Sequence, residues 1–160
     1  MSTVELRFTA VPAHVRTARL VVVSLGRRLG VDEELLDEVR LAVGEAAARA
    51  VRRHQASCPT ASVLVRMIAS EDRFVVEVAD CAAVPGGSSS EADPLDELAE
   101  HASQGYEGDD ALPAGLDLVV IGGLVDDLSV HEAPDGSTVI MGWPLSGNRP
   151  PVVGAAQASG

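Results

Sequence analysis

The chain has 160 residues, which is enough for about one domain with its own hydrophobic core, so neither a disulfide nor a metal is needed for folding. Its formal net charge is −12, which divides into +2 over residues 1–73 and −14 over residues 74–160. A surface of this sign repels phosphate backbones, and two phenylalanines, one tyrosine and one tryptophan provide no stacking platform for bases, so we expect no direct nucleic-acid binding. The acidic half favours either a basic protein partner or a solubilising surface.

Two further patterns concern location and metals. No apolar run approaches the 18 residues of a membrane span, and no signal pattern opens the chain, so we expect a cytoplasmic protein without membrane contact. Cys58 and Cys81 form no CxxC motif and have no histidine at ligand spacing. We therefore predict two reduced thiols, no metal site and no disulfide.

The first half of the chain predicts five regular elements. Alternating apolar residues indicate a strand over 4–8, and a helix opened by Pro12 follows over 14–28 and stops at Gly30. A second helix from Asp32, its expected N-cap, to His54 carries an apolar stripe, and a loop over 55–59 follows it. Strands over 61–69 and 74–79 are joined by a turn at 70–73.

The second half opens with a long polar and acidic stretch. Residues 81–114 contain no lysine or arginine, and we predict a mobile functional loop there with a short helix near 94–102. A helix over 116–126 and a hairpin with strands over 128–131 and 138–143 follow. The tail over 146–160 is predicted to be disordered, which leaves one domain over 1–145.

The second helix holds one carboxylate, Glu45, within a run of apolar and small residues. Arg49 lies four residues later, and this order of acid before base is the one that forms an intrahelical ion pair. A solvent-facing pair of this kind contributes a few tenths of a kcal/mol. Alternatively, Glu45 takes part in catalysis.

The order of the predicted elements resembles the histidine-kinase-like (GHKL, Bergerat) ATPase fold, and within it the bacterial anti-sigma regulatory factor and serine-protein kinase family. Three stretches carry the resemblance, at residues 39–51, 76–86 and 115–141. The resemblance implies an α+β fold, a two-layer α/β sandwich with a mixed, mostly antiparallel sheet and helices on one face.

Two of the family's motifs are only partly matched. In the first, Glu45 stands at the position of the general base, but Arg49 replaces the asparagine that holds magnesium. A guanidinium has only donors and a fixed positive charge, so it repels the ion. In the second, Asp80 matches the residue that bonds the adenine amino group, whereas Ala82 and Val84 replace two glycines on which close backbone approach depends.

The third motif is also altered. Gly115 is kept and Leu116 follows it, so the resemblance implies nucleotide contacts there, but Asp117 replaces the second phosphate-binding glycine. Asp117 is otherwise a good N-terminal helix residue. Thr138 matches the threonine that supports the adenine contact.

These changes favour a regulatory binding protein with weak or absent binding of ATP and magnesium, because phosphoryl transfer depends on metal and cationic clamps. The resemblance implies an anti-sigma factor that binds a sigma factor, a STAS-type anti-anti-sigma antagonist, or both, and a homodimer formed through residues 4–8 and 13–28. One alternative is an active serine-protein kinase that uses Glu45 as base and Asp80 for adenine, with magnesium held by water and another acid. Another is a small α/β metabolite-binding domain.

Overall fold

The computed structural model describes residues 2–82, 90–92 and 115–145. Its helices are α1 (Pro12–Arg28), α2 (Glu33–Ser57) and α3 (Leu116–Gly122). Its strands are β1 (Ser2–Thr9), β2 (Ser62–Ala69), β3 (Arg73–Ala79), β4 (Ser90–Ala92), β5 (Asp127–Ala133) and β6 (Gly136–Pro144).

The strands form one six-stranded sheet in the order β1-β2-β3-β6-β5-β4. Every pairing among the described strands is antiparallel, whereas the resemblance implied a mixed, mostly antiparallel sheet. The predicted α+β sandwich is confirmed. None of the described helices is long and apolar enough to cross a membrane.

The core lies between α2 and the inward face of the three central strands. The burial of β2 and β3 alternates residue by residue, as expected for strands with one covered face. Phe74 and Trp143 are directly opposed on β3 and β6, with ring centroids 6.3 Å apart, and the Trp143 indole donates to the carbonyl of Leu124. Burying these large rings fixes the position of the sheet beneath the helices.

Several boundaries differ from the sequence prediction. The loop predicted at Gln55 is wrong, because α2 continues to Ser57, and α3 ends at Gly122 and not at Asp126. Asp32 takes the N-cap position of α2, although its side chain makes no capping hydrogen bond.

The stretch over 81–114 contains one element that the sequence analysis missed. The short strand β4 pairs with β5, so this stretch is not one continuous loop. The predicted helix near 94–102 and the disordered tail over 146–160 lie outside the described residues.

The turn between β5 and β6 packs directly against the end of β3. Gly136 has φ +153°, and a Cβ at this residue would overlap the backbone carbonyl of Asp80. The Asp80 amide also donates to the carbonyl of Ser137 at 2.9 Å. A glycine is therefore required where β6 passes Asp80.

We expect Gly136→Ala to lower the free energy of unfolding by about 2–4 kcal/mol, because the turn must move away from β3 or adopt a strained backbone. Gly122→Ala is the matched control, since its Cβ would lie 3.6 Å from a methyl carbon of Leu128 in ordinary contact. Urea denaturation measures both variants. Equal stabilities would show that the close approach at Gly136 is not a constraint.

Candidate functional site

Three arginines on the C-terminal half of α2 face the end of β3 and the start of α3. Arg49, Arg52 and Arg53 are spaced by three and four residues, so they lie on one side of the helix. Arg53 and Arg49 pair with Asp80, and Arg52 pairs with Asp117. The predicted nucleotide positions are therefore joined to α2 by ion pairs within the chain.

The Asp80 carboxylate is the centre of this cluster, and its side chain is 2% exposed. Its Oδ2 accepts from Arg53 Nε at 2.8 Å and from the Ser137 hydroxyl at 2.9 Å. Its Oδ1 accepts from the backbone amides of Ala82 at 3.0 Å and Ser137 at 3.2 Å. A carboxylate has about four lone-pair sites, and four donors already occupy this one.

Arg49 is buried, and this overturns its predicted solvent-facing pair with Glu45. Its Nη1 lies 3.8 Å from Asp80 Oδ2 and donates to the Ser137 hydroxyl at 3.2 Å, while its Nε lies 3.9 Å from Asp117. Glu45 is half-buried and makes no ion pair within the described ranges. Arg49 points to the sheet because two carboxylates there compensate its desolvation, which Glu45 alone does not provide.

Asp117 connects α3 to the same arginines. Its Oδ2 accepts from Arg52 Nη2 at 2.9 Å, and its Oδ1 accepts from the amide of Leu118 in its own helix. Gly115 precedes the helix with φ +91°, a conformation that favours glycine, and Leu116 begins the helix half-buried. Asp117 accepts an amide of the first turn of α3, as expected of a good N-terminal helix residue, and it also pairs with Arg52; its position relative to a bound phosphate stays a prediction.

The hydroxyl that donates to Asp80 comes from Ser137, and the role of Thr138 in supporting the adenine contact stays a prediction. Successive residues of a strand point to opposite faces, so Ser137 faces α2 and Thr138 faces the uncovered side of the sheet. Thr138 there lines a shallow groove with Arg66 and Glu77. The Arg66 guanidinium donates hydrogen bonds to Glu5 and Glu77, and these bonds, the one to Glu5 most, raise its pKa.

Two residues of the second motif, Ala82 and Val84, replace the family's glycines, and the structure describes only Ala82. Ala82 is buried, donates its amide to Asp80 and accepts from Arg53 Nη2 at 3.3 Å through its carbonyl. Val84 lies outside the described residues. At Ala82, the turn that resembles an adenine-binding loop is therefore closed by an α2 side chain.

Cys58 and Cys81 form a disulfide, and the prediction of two reduced thiols is wrong. The sequence could not indicate the bridge because the cysteines meet only when β3 returns alongside the end of α2. His54, fully buried on the last turns of α2, accepts the amide of Cys81 at its Nε2 at 3.1 Å. The bridge therefore holds the residue that follows Asp80.

Sequence reasoning found Asp80 and Asp117 but missed their main partners. Arg52 and Arg53 read only as basic residues in the last turns of a helix, and Ser137 differs from the expected residue by one position in a strand. The spacing of Arg49, Arg52 and Arg53 was the available signal, because three cations on one helix face need nearby anions when that face is covered.

The amino-acid sequence is similar to those of bacterial proteins that carry a functional name. The chain is 28% identical over 146 residues to the serine-protein kinase RsbW of Bacillus velezensis, covering 91% of this chain and 88% of that protein. It is 27% identical to the serine-protein kinase RsbW of Bacillus subtilis over the same length and shares of each chain. Both relatives match almost from end to end.

The fold has a counterpart among solved structures, and a family model matches most of the chain. The structure of the RsbU and RsbW domains of Rv1364c from Mycobacterium tuberculosis gives a TM-score of 0.64 at 14% identity. That match covers 91% of this chain and 33% of the longer one. Residues 8–143 match the model of the histidine kinase-like ATPase domain, and the chain therefore belongs to that family.

Proposed function

We propose that this protein is an anti-sigma factor that regulates transcription by protein–protein binding, with a sigma factor, a STAS-type anti-anti-sigma antagonist, or both as partners. Family membership and the near full-length similarity to RsbW proteins support this assignment. An anti-sigma factor acts where RNA polymerase acts, so the proposal places the protein in the cytoplasm. We propose that its nucleotide cleft no longer binds ATP productively.

The observation that carries the proposal is the occupied carboxylate of Asp80. An adenine amino group would need an acceptor on this side chain, and Arg53 Nε already donates to it at 2.8 Å. Displacing Arg53 would leave a guanidinium beside the cleft without its main partner, which costs free energy that adenine binding must offset. A base therefore competes with a charge-assisted bond that is already made.

The positions that would hold magnesium and phosphates are unfavourable for a second reason. The resemblance assigns Arg49 to the position of the family's metal ligand, where it contributes a positive charge and no acceptor. Asp117 adds a carboxylate at the expected phosphate position. Residues with the opposite charge to the one required stand at both places, so the cleft suits neither the ion nor the triphosphate.

The alternative is an active serine-protein kinase, and the names of the RsbW relatives favour it. Glu45 is the candidate base, because it is half-buried and lacks an ion pair among the described residues. For catalysis, Arg53 and Arg49 would have to leave Asp80 and bind phosphate, and another acid would have to hold magnesium through water. Measuring nucleotide binding distinguishes the kinase from an anti-sigma factor that does not bind ATP productively.

We also propose that the protein forms a homodimer through β1 and α1. Strand β1 lies at the edge of the sheet, where its outer backbone groups are available for pairing. Val4 is 38% exposed, and Leu6 and Phe8 are only partly buried. A second copy of the chain would cover these apolar side chains.

Millimolar Mg-ATP should raise the melting temperature of the protein by less than about 1 °C. A ligand present at one hundred times its Kd would stabilise the native state by about 2.7 kcal/mol and raise the melting temperature by several degrees. Differential scanning fluorimetry with ATP, ADP and magnesium alone measures the shift. A saturable shift of several degrees that requires magnesium would contradict the occupied cleft.

We expect Asp80→Asn to lower the free energy of unfolding by about 3 kcal/mol, because buried Arg49 and partly buried Arg53 lose their shared anion. Asp127→Asn is the matched control. It removes the same charge from an exposed pair with Arg73, so it should change stability by less than about 1 kcal/mol. A carboxylate kept for nucleotide would give the reverse result, with small loss of stability and large loss of ATP affinity.

The purified protein should inhibit transcription from one sigma factor of its own genome and not from the others. Each sigma factor is added to core RNA polymerase with its promoter, and the complex is then sized by sedimentation. A stoichiometry of two chains to one or two sigma factors would support the dimer. Phosphorylation of a STAS antagonist on serine without sigma inhibition would instead support the kinase.

A further inference from the structure

The disulfide between Cys58 and Cys81 joins the end of α2 to the residue that follows Asp80. We propose that these cysteines and His54 form a reversible thiol–disulfide site, which is opened by a dithiol reductant and closed by a peroxide. Both cysteines are partly exposed, so a reductant can reach them. The site includes Cys81, which lies between Asp80 and Ala82 in the second motif, but its thiol–disulfide chemistry goes beyond the proposed function.

His54 determines which sulfur of the disulfide is attacked and which one leaves. Its Nε2 accepts the Cys81 amide, so a neutral imidazole in this position carries its proton on Nδ1. Nδ1 lies 3.6 Å from Cys81 Sγ, within reach of an N–H···S hydrogen bond. A donor at this distance stabilises negative charge on Cys81, which makes Cys81 the leaving sulfur and Cys58 the sulfur that is attacked.

Reduction then proceeds by two exchanges. A thiolate of the dithiol attacks Cys58 Sγ, the Cys58–Cys81 bond breaks, and its electron pair leaves on Cys81 Sγ, which takes a proton from solvent. The second thiol loses its proton and attacks the mixed disulfide. Cys58 departs as a thiolate that is protonated, and the reductant departs as a disulfide.

Oxidation by a peroxide restores the bridge. One cysteine thiolate attacks a peroxide oxygen, and the O–O bond breaks to leave a sulfenic acid and one molecule of water or alcohol. The other cysteine attacks the sulfenic sulfur and releases a second molecule of water. Two electrons pass from the cysteines to the peroxide.

The bridge is coupled to the ion-pair cluster through two neighbouring residues. Cys81 lies between Asp80, which accepts from Arg53, and Ala82, which donates to Asp80 and accepts from Arg53. The disulfide therefore fixes the same turn that completes the contacts of the Asp80 carboxylate. Opening it removes the covalent connection between this turn and α2.

Two arguments favour a reversible site over a permanent cross-link. A chain of 160 residues has a core large enough to fold without a disulfide. Disulfides inside cells are usually transient, catalytic or redox-sensing. The second argument rests on the proposed function, which places the protein in the cytoplasm.

A metal is the competing occupant of the same three side chains. One ligand atom each from His54, Cys58 and Cys81 lies within 4.8 Å of the others. A metal at Nδ1 would need the proton on Nε2, where the Cys81 amide already donates. The hydrogen bond thus favours thiol–disulfide chemistry.

The test uses the full chain purified without oxygen, with free thiols counted by maleimide labelling and intact mass. Hydrogen peroxide should remove two hydrogens and block both thiols, and dithiothreitol should restore them in the folded protein. The reduced form should melt about 5–10 °C lower, because it loses a cross-link between positions 23 apart. Cys58→Ser should melt like the reduced form and show no bridging with peroxide.

A matched pair of variants tests the role of His54. His54→Gln keeps an acceptor near the Cys81 amide but has no donor at the δ position, so dithiothreitol should reduce the bridge roughly tenfold more slowly. His54→Asn keeps a donor at the δ position and should stay within about threefold of the natural chain. Melting temperatures of both variants separate this effect from a general loss of packing.

Three results would overturn the proposal. The thiols could remain free after peroxide treatment, or the bridge could resist dithiothreitol until the protein unfolds, which would make it a structural cross-link. Stoichiometric binding of Zn²⁺ alone to the reduced protein, measured with a colorimetric chelator, would make the site a metal site. Thiol counting needs no partner, so these outcomes are independent of sigma-factor binding.

Discussion

The structure depends on how one buried carboxylate is neutralised. Asp80 lies at the end of β3 with a side chain that is 2% exposed, and an anion in that position is tolerated only when donors surround it. Arg53 supplies a cation from α2, Ser137 supplies a hydroxyl and an amide from β6, and Ala82 closes the turn. One side chain therefore connects the helix layer to two strands, so any ligand that needs Asp80 must break contacts on which the packing of α2 depends.

The charges of the Asp80 and Asp117 carboxylates are balanced by arginines of the same chain. Three arginines of α2 face two aspartates, and each carboxylate has at least one guanidinium within 2.9 Å. In a nucleotide-binding cleft of the same shape, magnesium and phosphates would bring in those charges from outside. Here the cations are covalently part of α2, so the charge balance that a ligand would provide is already present in the free protein.

The sequence indicated the layers of the fold well because period-2 and period-3.6 patterns report burial directly. It was less informative where contacts join distant parts of the chain. Cys58 and Cys81 carry no local signal of their bridge, and Ser137 could be distinguished from Thr138 only by the face of β6 on which each lies. Arg49 was assigned to its nearest acid in sequence, whereas burial favoured the two carboxylates that the sheet and α3 bring close.

Under the proposed function, a site closed by its own side chains would not report the phosphorylation state of a nucleotide, and control of partner binding would act at another place. The end of α2 is suited to this, because the arginines that close the cleft and the histidine beside the bridge lie on the same last turns of one helix. A change at the disulfide therefore acts on Cys81, the residue next to Asp80, without passing through the core. Helix α2 thus carries the arginines that pair with Asp80 and Asp117 and ends at the disulfide, so it connects the proposed redox site with the packing of the domain.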